Sequence, residues 1–235
     1  MGSGMEFFRR TLFLVVICAL AAASNAQYEV STDRKFKCST EGATCLALVD
    51  YRPASGTYGG IQTLFNIREL RDIQGVNLQL KDTISPNDQV IPLGVIRIPF
   101  TRKCQDALGT SINGPFYKIQ SDETLEHIGK VVFSNIVKWP QIQKANNISD
   151  PFNISMGQEL RIPLPCSCDQ VEGTMLVHYG RVFQNISTSY LEEMAQTAGI
   201  AVETMKDLNG ILDESQIQAG EIYDVPLKGL FCSSS

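Results

Sequence analysis

The sequence has little of the chemistry that metal sites and nucleic-acid surfaces require. It contains only 2 histidines and 1 tryptophan, and its formal net charge is −5 with 19% charged residues. Neither His127 nor His178 stands beside a cysteine, and there is no CxxC pair, so zinc ligation is disfavoured. Both histidines are expected to be ordinary surface or half-buried residues. Because no dense stripe of lysine and arginine is present, no nucleic-acid partner is expected. We also expect no metal and no cofactor.

A pair of opposed carboxylates is missing as well. Retaining and inverting glycoside hydrolysis needs two carboxylates set across a cleft. In this chain, aspartate and glutamate are scattered over predicted loops and helix ends. After the repeats described below are assigned, no segment is long enough for a catalytic domain. The sequence therefore predicts a binding protein and not an enzyme.

Long apolar runs are absent except at the amino terminus. There, the basic pair Arg9 and Arg10 precedes TLFLVVICALAAA and the small residues SNA, which predicts a secretory signal peptide cleaved after Ala26. The alternative, a membrane anchor, needs about 20 apolar residues, and this run is shorter. Secretion agrees with three N-x-S glycosylation sequons, which begin at Asn147, Asn153 and Asn185.

The cysteines predict a disulfide framework. Of the 7 cysteines, Cys18 leaves with the signal peptide, and an even number in a secreted chain favours disulfides. Cys166 and Cys168 are separated by one serine and rarely bond each other at this spacing. Each is therefore expected to reach a different neighbour and to clamp adjacent parts of the protein. The remaining cysteines are Cys38, Cys45, Cys104 and Cys232.

A pattern of apolar-x-apolar-Pro indicates an internal repeat. It occurs as IRIP, LRIP and YDVP, which end at Pro99, Pro163 and Pro226. The tripeptides GVN, ANN and LNG precede these segments, and the spacing from asparagine to proline is the same in the second and third copies. The chain is therefore expected to contain three related units.

Each copy predicts the order strand, helix, helix, strand. In the second copy FYKIQ and ELRIP are the strands, Leu125, Ile128 and Val132 share one helix face, and KWPQIQKAN is a second helix. In the third copy, LVHYGRVF and IYDVP are the strands. Between them lie a first helix and a second helix, VETMKDL, and the apolar face of the first helix consists of Leu191, Met194, Ala195 and Ala198. The first copy is looser: it contains TYGGIQTLF and IRELRDIQ, which a longer loop connects to VIRIP. The two strands of each unit should pair antiparallel beneath both helices, which is an α+β fold.

These features resemble the ectodomains of plant LysM proteins, in particular the chitin-elicitor-binding group, which is usually GPI-anchored. The resemblance runs from Phe36 to Cys232 and is carried by FKCSTEGATCLALVDY, KANNISDP, IPLPCSCD and LNGI…VPL. It implies three tandem LysM βααβ units tied together by inter-unit disulfides. The expected segments are a signal peptide (1–26), an N-terminal cysteine segment (27–46), a degenerate first unit (47–100), a linker (101–115), a second unit (116–164), a CxC linker (165–175), a third unit (176–228) and a tail (229–235).

The same resemblance implies a function. It is the extracellular binding of chitin oligosaccharides by a receptor-like protein of plant immunity, acting with the ectodomain of a LysM receptor kinase. Long oligosaccharides could also bridge two copies into a ligand-linked homodimer. Two alternatives remain open: a peptidoglycan binder, since both polymers contain N-acetylglucosamine, and a sugar-blind co-receptor or decoy.

In such a unit, two loops wall the sugar groove, and the resemblance maps them onto the second copy. Short polar side chains and backbone groups can meet the amide of an N-acetyl group, and Ile148 can take its methyl. A reading in which both loops only cap helices and form turns remains open. The mapped positions are Gln120, Ser121, Asp122, Glu123 and Thr124 in the first loop, and Asn147, Ile148, Ser149, Asp150 and Pro151 in the second.

The sequence departs from the family pattern at its first junction, where Arg102 stands in place of the first cysteine of a CxC pair. The family pairing then implies the disulfides Cys38–Cys104 and Cys45–Cys168. It leaves Cys166 either free or bonded to Cys232.

Two further departures concern glycosylation and anchoring. The sequon at Asn147 lies in a groove loop, so an attached glycan would weaken sugar binding. The chain also stops at GLFCSSS, without the apolar tail of about 10–20 residues that a GPI signal needs. The expected location is the outer face of the plasma membrane if a longer form carries that tail, and otherwise the apoplast.

Overall fold

The computed structural model describes residues 35–80, 83–105, 108–174, 176–184 and 190–227. The expected signal peptide, the sequon at Asn185 and the tail with Cys232 lie outside the described residues. Among the helices within these ranges, none has the length and apolar character needed to cross a membrane.

The order strand, helix, helix, strand occurs three times along the described chain. Unit 1 consists of β1 (Thr44–Tyr51), α1 (Tyr58–Leu64), α2 (Leu70–Val76) and β2 (Ile96–Gln105), and the short strand β3 (Leu108–Ser111) follows it. Unit 2 consists of β4 (Phe116–Lys118), α3 (Leu125–His127) with a π-helical turn (Ile128–Val132), α4 (Trp139–Ala145) and β5 (Glu159–Arg161). Unit 3 consists of β6 (Val177–Val182), α5 (Tyr190–Ala198), α6 (Val202–Asn209), a short 3-10 turn (Glu214–Gln216) and β7 (Ile222–Leu227).

In the looser first copy, the sequence pattern assigns no particular structure to TYGGIQTLF. This segment is helix α1, which begins after Thr57, whose hydroxyl accepts a hydrogen bond from the backbone N–H of Gly60 at 3.1 Å. The first strand of the unit is β1, earlier in the chain, and it begins inside the segment expected to be N-terminal to the repeats. Strand β2 likewise continues to Gln105, into the segment expected to be a linker.

The strands form one five-stranded sheet, in the order β3-β2-β1-β6-β7, and one two-stranded sheet of β4 and β5. The two strands of each unit pair antiparallel, as the sequence predicts. Strand β1 also pairs in parallel with β6, so units 1 and 3 share a sheet. This central position explains why Ala47, Leu48 and Val49 are all fully buried. At Gly180 an added Cβ would lie 2.8 Å from Ile222 Cδ1 and 3.2 Å from Val49 Cγ1.

One asparagine in each unit ties the second helix to the second strand. In unit 2 the side chain of Asn146 donates to the carbonyl oxygens of Ile142 and Arg161 and accepts from the N–H of Arg161, each at 2.8 Å. In unit 1 Asn77 makes the same three hydrogen bonds, to Ile73 and Arg97, and in unit 3 Asn209 makes them to Met205 and Asp224. The repeated asparagine of the sequence therefore has a physical cause, because it satisfies buried backbone groups at the same point of each unit.

Replacing Asn209 with alanine should lower the free energy of unfolding by about 2–4 kcal/mol, because two buried backbone groups of Asp224 lose their partner. Urea unfolding followed by circular dichroism measures the change. Asn87→Ala is the matched control, since Asn87 is exposed and should change stability by less than about 0.5 kcal/mol. Equal effects of the two substitutions would show that the asparagine clamp does not stabilise the unit.

Two disulfides join the cysteines: Cys38–Cys104 and Cys45–Cys168, with Cα–Cα distances of 5.9 and 6.0 Å. These are the two pairs that the resemblance implies. Cys166 is a free thiol and is buried. Within the described chain, Cys168 is thus the only cysteine of the CxC motif that forms a disulfide.

The guanidinium group of Arg102 fills the space beside these sulfurs, with the residue fully buried. Its Nε lies 3.1 Å from the sulfur of Cys45 and also contacts the sulfur of Cys168, and its Nη1 donates to the carbonyl oxygen of Cys166 at 3.2 Å. Burial lowers the pKa of Arg102 and raises that of the Cys166 thiol. Gly109 is required here, since a Cβ at that position would collide with Arg102 Nη1 and the Cys166 carbonyl.

His178 is fully buried, so the expectation of a surface or half-buried position is wrong for this residue. Its Nδ1 lies 2.9 Å from the carboxylate of Asp224, and its Nε2 lies 2.8 Å from the carbonyl oxygen of Asp169. Burial lowers the pKa of His178, but the Asp224 carboxylate and the Asp169 carbonyl raise it by more, and the net pKa is above its ordinary value. The pair therefore joins strands β6 and β7 as an ion pair at acidic pH.

The raised pKa predicts how stability depends on pH. The contribution of His178 should be complete below the ordinary histidine pKa of about 6.5 and should fall as pH rises through the folded-state pKa. In His178→Gln, the free energy of unfolding should decline less steeply over that interval. Chemical unfolding at a series of pH values tests this. His127→Gln, which changes the exposed histidine, should keep the wild-type slope, and a wild-type slope in His178→Gln would contradict the prediction.

Candidate functional site

The two loops that the sequence predicts as a groove leave the same end of the two-stranded sheet. Lys118 pairs with Glu159 at that end. One residue further, Ile119 donates its N–H to the Gln158 carbonyl at 3.0 Å and accepts from the Gly157 N–H at 2.8 Å. The segment after Ile119 and the segment that returns to Gly157 therefore start from one common base.

The first loop, residues 120–124, is held by its own side chains. The carboxylate of Glu123 accepts from the N–H of Gln120 at 2.8 Å and from the hydroxyl of Tyr117 at 2.7 Å. Burial, together with this carboxylate, raises the pKa of Tyr117 above its ordinary value. Thr124 caps helix α3 by accepting from the His127 N–H at 3.1 Å. Glu123 and Thr124 thus shape the loop.

The exposed part of the first loop is short and polar. Gln120, Ser121 and Asp122 are all solvent-exposed. The Ser121 hydroxyl donates to the Asp122 carboxylate at 2.8 Å, and Asp122 has a left-handed backbone with φ of 62°. This conformation, which aspartate tolerates better than most residues, turns the chain sharply and leaves these side chains facing solvent.

The second loop begins in a similar way at Asn147, which has a φ of 52°. Ile148 makes two hydrogen bonds with Gln143. The N–H of Ile148 donates to the carbonyl oxygen of Gln143 at 3.1 Å, and the carbonyl oxygen of Ile148 accepts from the side-chain amide of Gln143 at 3.0 Å. Its side chain is half-buried against the core that units 1 and 2 share, while Asn147 and Ser149 are exposed. Ile148 therefore offers an apolar surface between two exposed polar side chains.

Sequence reasoning missed two exposed apolar side chains in the same loop: Phe152, which is 91% exposed, and Met156, which is 74% exposed. A tight turn presents Phe152. The Asp150 carboxylate accepts from its N–H at 3.0 Å, the Asp150 carbonyl accepts from Asn153 at 3.1 Å, and Pro151 lies between them. The sequence signal was available, because Asp-Pro-Phe-Asn is typical of a β-turn with an aromatic tip.

Unit 1 differs from unit 2 because its corresponding loops are bonded to each other. The N–H groups of Tyr58 and Gly59 donate to the carbonyl oxygens of Asp88 and Pro86, at 3.1 and 2.9 Å, and Val90 donates to Gly56 at 3.0 Å. In unit 2, between residues 120–124 and 147–156 of the described chain, there is no such cross-loop hydrogen bond. In unit 3 the first loop contains residues 185–189, which lie outside the described ranges. Unit 2 therefore has the open pair of loops.

The open loops of unit 2 expose side chains of several chemical kinds. Among the described residues, no group of three or more His, Cys, Asp or Glu side chains could hold a metal ion. Acidic side chains occur on both loops, at Asp122 and Asp150, and both are exposed. The surface combines short polar groups, left-handed backbone and exposed apolar side chains, which fits a neutral ligand with both polar and apolar faces.

Comparisons with known proteins concern the family and the fold of the chain. Residues 117–163, which span unit 2, match the family model of the LysM domain. The chain therefore contains a LysM domain in this segment. It is 39% identical over 201 residues to LysM domain-containing GPI-anchored protein 2 of Arabidopsis thaliana, covering 85% of this chain and 56% of the relative. It is 36% identical over 203 residues to the chitin elicitor-binding protein of Oryza sativa subsp. japonica, covering 85% of this chain and 55% of the relative.

These matches confirm the resemblance drawn from the sequence motifs. The chain spans about half the length of these curated relatives. Their names describe LysM and elicitor-binding proteins, and no enzyme family is indicated.

Solved structures with the same fold include the ectodomain of a receptor-like kinase, with a TM-score of 0.62 at 18% identity, covering 80% of this chain and 94% of that one. The LYK3 ectodomain gives a TM-score of 0.63 at 18% identity, with 81% and 92% covered. At this identity the likeness concerns the fold alone.

Proposed function

We propose that this protein binds chitin oligosaccharides outside the cell through the two open loops of unit 2. The observation that carries the proposal is the contrast between units. Unit 2 exposes both loops without hydrogen bonds between them, and it is also the segment that matches the LysM model. A relative that shares 36% identity with the chain is named for binding a chitin elicitor.

The chemistry of N-acetylglucosamine fits these loops. Its acetamido group needs hydrogen bonds for the amide, which Gln120, Ser121 and Ser149 can supply, and an apolar contact for the methyl, which Ile148 can supply. The flat apolar face of a sugar ring can lie against the exposed ring of Phe152. Peptidoglycan shares the same sugar, so it is the competing ligand in the test below.

The wider assembly is part of the same proposal. Unit 1 is a degenerate LysM unit and unit 3 is a further LysM unit, which the shared asparagine clamp supports. The protein acts at the outer face of the plasma membrane or in the apoplast with a LysM receptor kinase ectodomain, in agreement with the GPI-anchored relative. Oligosaccharides long enough to occupy two copies would join them into a dimer, so an octamer should be more potent than a tetramer.

Calorimetric titration of the secreted protein with a chitin octamer tests the proposal. A cellulose oligomer serves as the control, because it has the same linkage and lacks the acetamido group. Chitin-selective heat is expected. A peptidoglycan fragment that binds while chitin does not would assign the loops to the other polymer. A folded protein, with its glycans removed, that binds neither would overturn sugar binding and favour a sugar-blind co-receptor.

A further inference from the structure

The sequon at Asn147 lies at the edge of the proposed sugar groove. A comparison with the neighbouring Asn146 shows why the side chain of Asn147 is accessible for glycosylation. The side chain of Asn146 is committed to three hydrogen bonds within the fold. The side chain of Asn147 is exposed and makes no hydrogen bond to any described residue. Of the two adjacent asparagines, one therefore holds the unit together, and the other presents its amide nitrogen to solvent within the tripeptide Asn-Ile-Ser.

We propose that Asn147 carries an N-linked glycan whose first two sugars occupy the unit 2 groove as a ligand in cis. An N-linked glycan begins with two β-1,4-linked N-acetylglucosamine residues, which is the repeating disaccharide of chitin. The inference rests on the proposed function, since it assigns to the groove a ligand of the same chemistry. The groove would then be occupied before any free oligosaccharide arrives.

The geometry favours binding in cis over a glycan that points away. Asn147 immediately precedes Ile148, the apolar residue proposed to take an acetyl methyl, and Ser149 follows as an exposed polar group. The left-handed backbone at Asn147 places a sharp turn at the point of attachment. A ligand tethered this close has a high effective concentration, on the order of millimolar for short flexible connections, and competes with free oligosaccharide of modest affinity.

The second sequon of the same loop provides the matched control. Asn153 is also exposed, and it closes the turn that presents Phe152 by donating its N–H to the Asp150 carbonyl at 3.1 Å. Along the chain, this turn separates a glycan at Asn153 from Ile148. Its removal should leave the affinity for free oligosaccharide unchanged.

The experiment compares glycoforms of the full secreted chain, produced in a host that adds high-mannose glycans. Peptide mapping by mass spectrometry first establishes whether Asn147 is occupied. Titration with a chitin octamer then compares wild type, Asn147→Gln, Ser149→Ala and Asn153→Gln. Ser149→Ala removes the sequon and keeps asparagine at the left-handed position, so it controls for strain in Asn147→Gln, and it also removes one hydroxyl proposed to contact the acetamido group. Asn147→Gln should raise affinity about tenfold or more, Ser149→Ala should raise it by less because it loses that hydroxyl, and Asn153→Gln should match wild type.

Hydrogen exchange separates a bound glycan from one that only blocks the entrance. Without added ligand, amides in residues 120–124 should exchange more slowly in the occupied wild type than in Ser149→Ala, and octamer should restore protection to that variant. An unoccupied Asn147, equal octamer affinities, or unchanged exchange would each overturn the inference while chitin binding stands. If Ser149→Ala and Asn147→Gln are folded and bind no chitin, the proposed function fails as well.

Discussion

Replacing Phe152 with alanine should lower the affinity for a chitin octamer by about ten- to a hundredfold. Covering an aromatic side chain with a ligand contributes about 1.5–3 kcal/mol, and about 1.4 kcal/mol corresponds to a factor of ten in affinity. Because Phe152 is 91% exposed, the substitution should leave the thermal midpoint unchanged. Calorimetric titration of protein freed of its glycans measures the affinity directly.

Exposed leucines in the corresponding loops of the other units provide the controls. Leu212 in unit 3 is 78% exposed and Leu78 in unit 1 is 89% exposed. If the sugar binds in unit 2, then Leu212→Ala and Leu78→Ala should retain wild-type affinity. A loss of affinity in Leu212→Ala that equals the loss in Phe152→Ala would move the site to unit 3 or show that the sugar spans both units.

The repeat could be predicted from the sequence because its signals are local. The asparagine recurs in all three units, and its distance to the proline is the same in units 2 and 3, since the asparagine side chain must reach the backbone of the second strand. The helix faces of units 2 and 3 follow from apolar periodicity, and Leu191, Met194 and Ala195 are buried as this pattern predicts.

Where the sequence gives no clear prediction, competing or distant interactions decide the structure. Helix α1 contains the pair Gly59 and Gly60, which weakens helix propensity, so the sequence pattern alone does not identify this helix. The parallel pairing of β1 with β6 joins residues such as Leu48 and Tyr179, which are far apart in sequence, and no local pattern encodes it. Long-range pairing of this kind becomes visible only in three dimensions.

The positions of the two loops of unit 2 could be predicted from the sequence, and the roles of their side chains less so. The family pattern indicated the two loops of unit 2, but it did not distinguish side chains that hold a loop from those that face solvent. Glu123 and Thr124 belong to the first kind, since their oxygens accept hydrogen bonds from the loop and from the helix that follows it. Phe152 was passed over because a loop rich in polar residues was read as uniformly polar.

The largest effect on stability is expected from removing the disulfide between Cys45 and Cys168. It closes a separation of 123 residues and ties β1 of unit 1 to the linker before unit 3. In the chain-entropy model, losing it should lower the free energy of unfolding by about 3–5 kcal/mol. The double substitution Cys45→Ser with Cys168→Ser tests this by urea unfolding under oxidising conditions.

Two comparisons make the test specific to the covalent bond. Cys166→Ser removes a buried sulfur of the same motif without breaking a bond, so it should lower stability by about 1 kcal/mol or less. Removing Cys38–Cys104, which closes a separation of only 66 residues, should have a slightly smaller effect than removing Cys45–Cys168, by about 0.5 kcal/mol. If Cys166→Ser proves as damaging as the double variant, packing around the buried guanidinium of Arg102 stabilises this junction, and the cross-link does not.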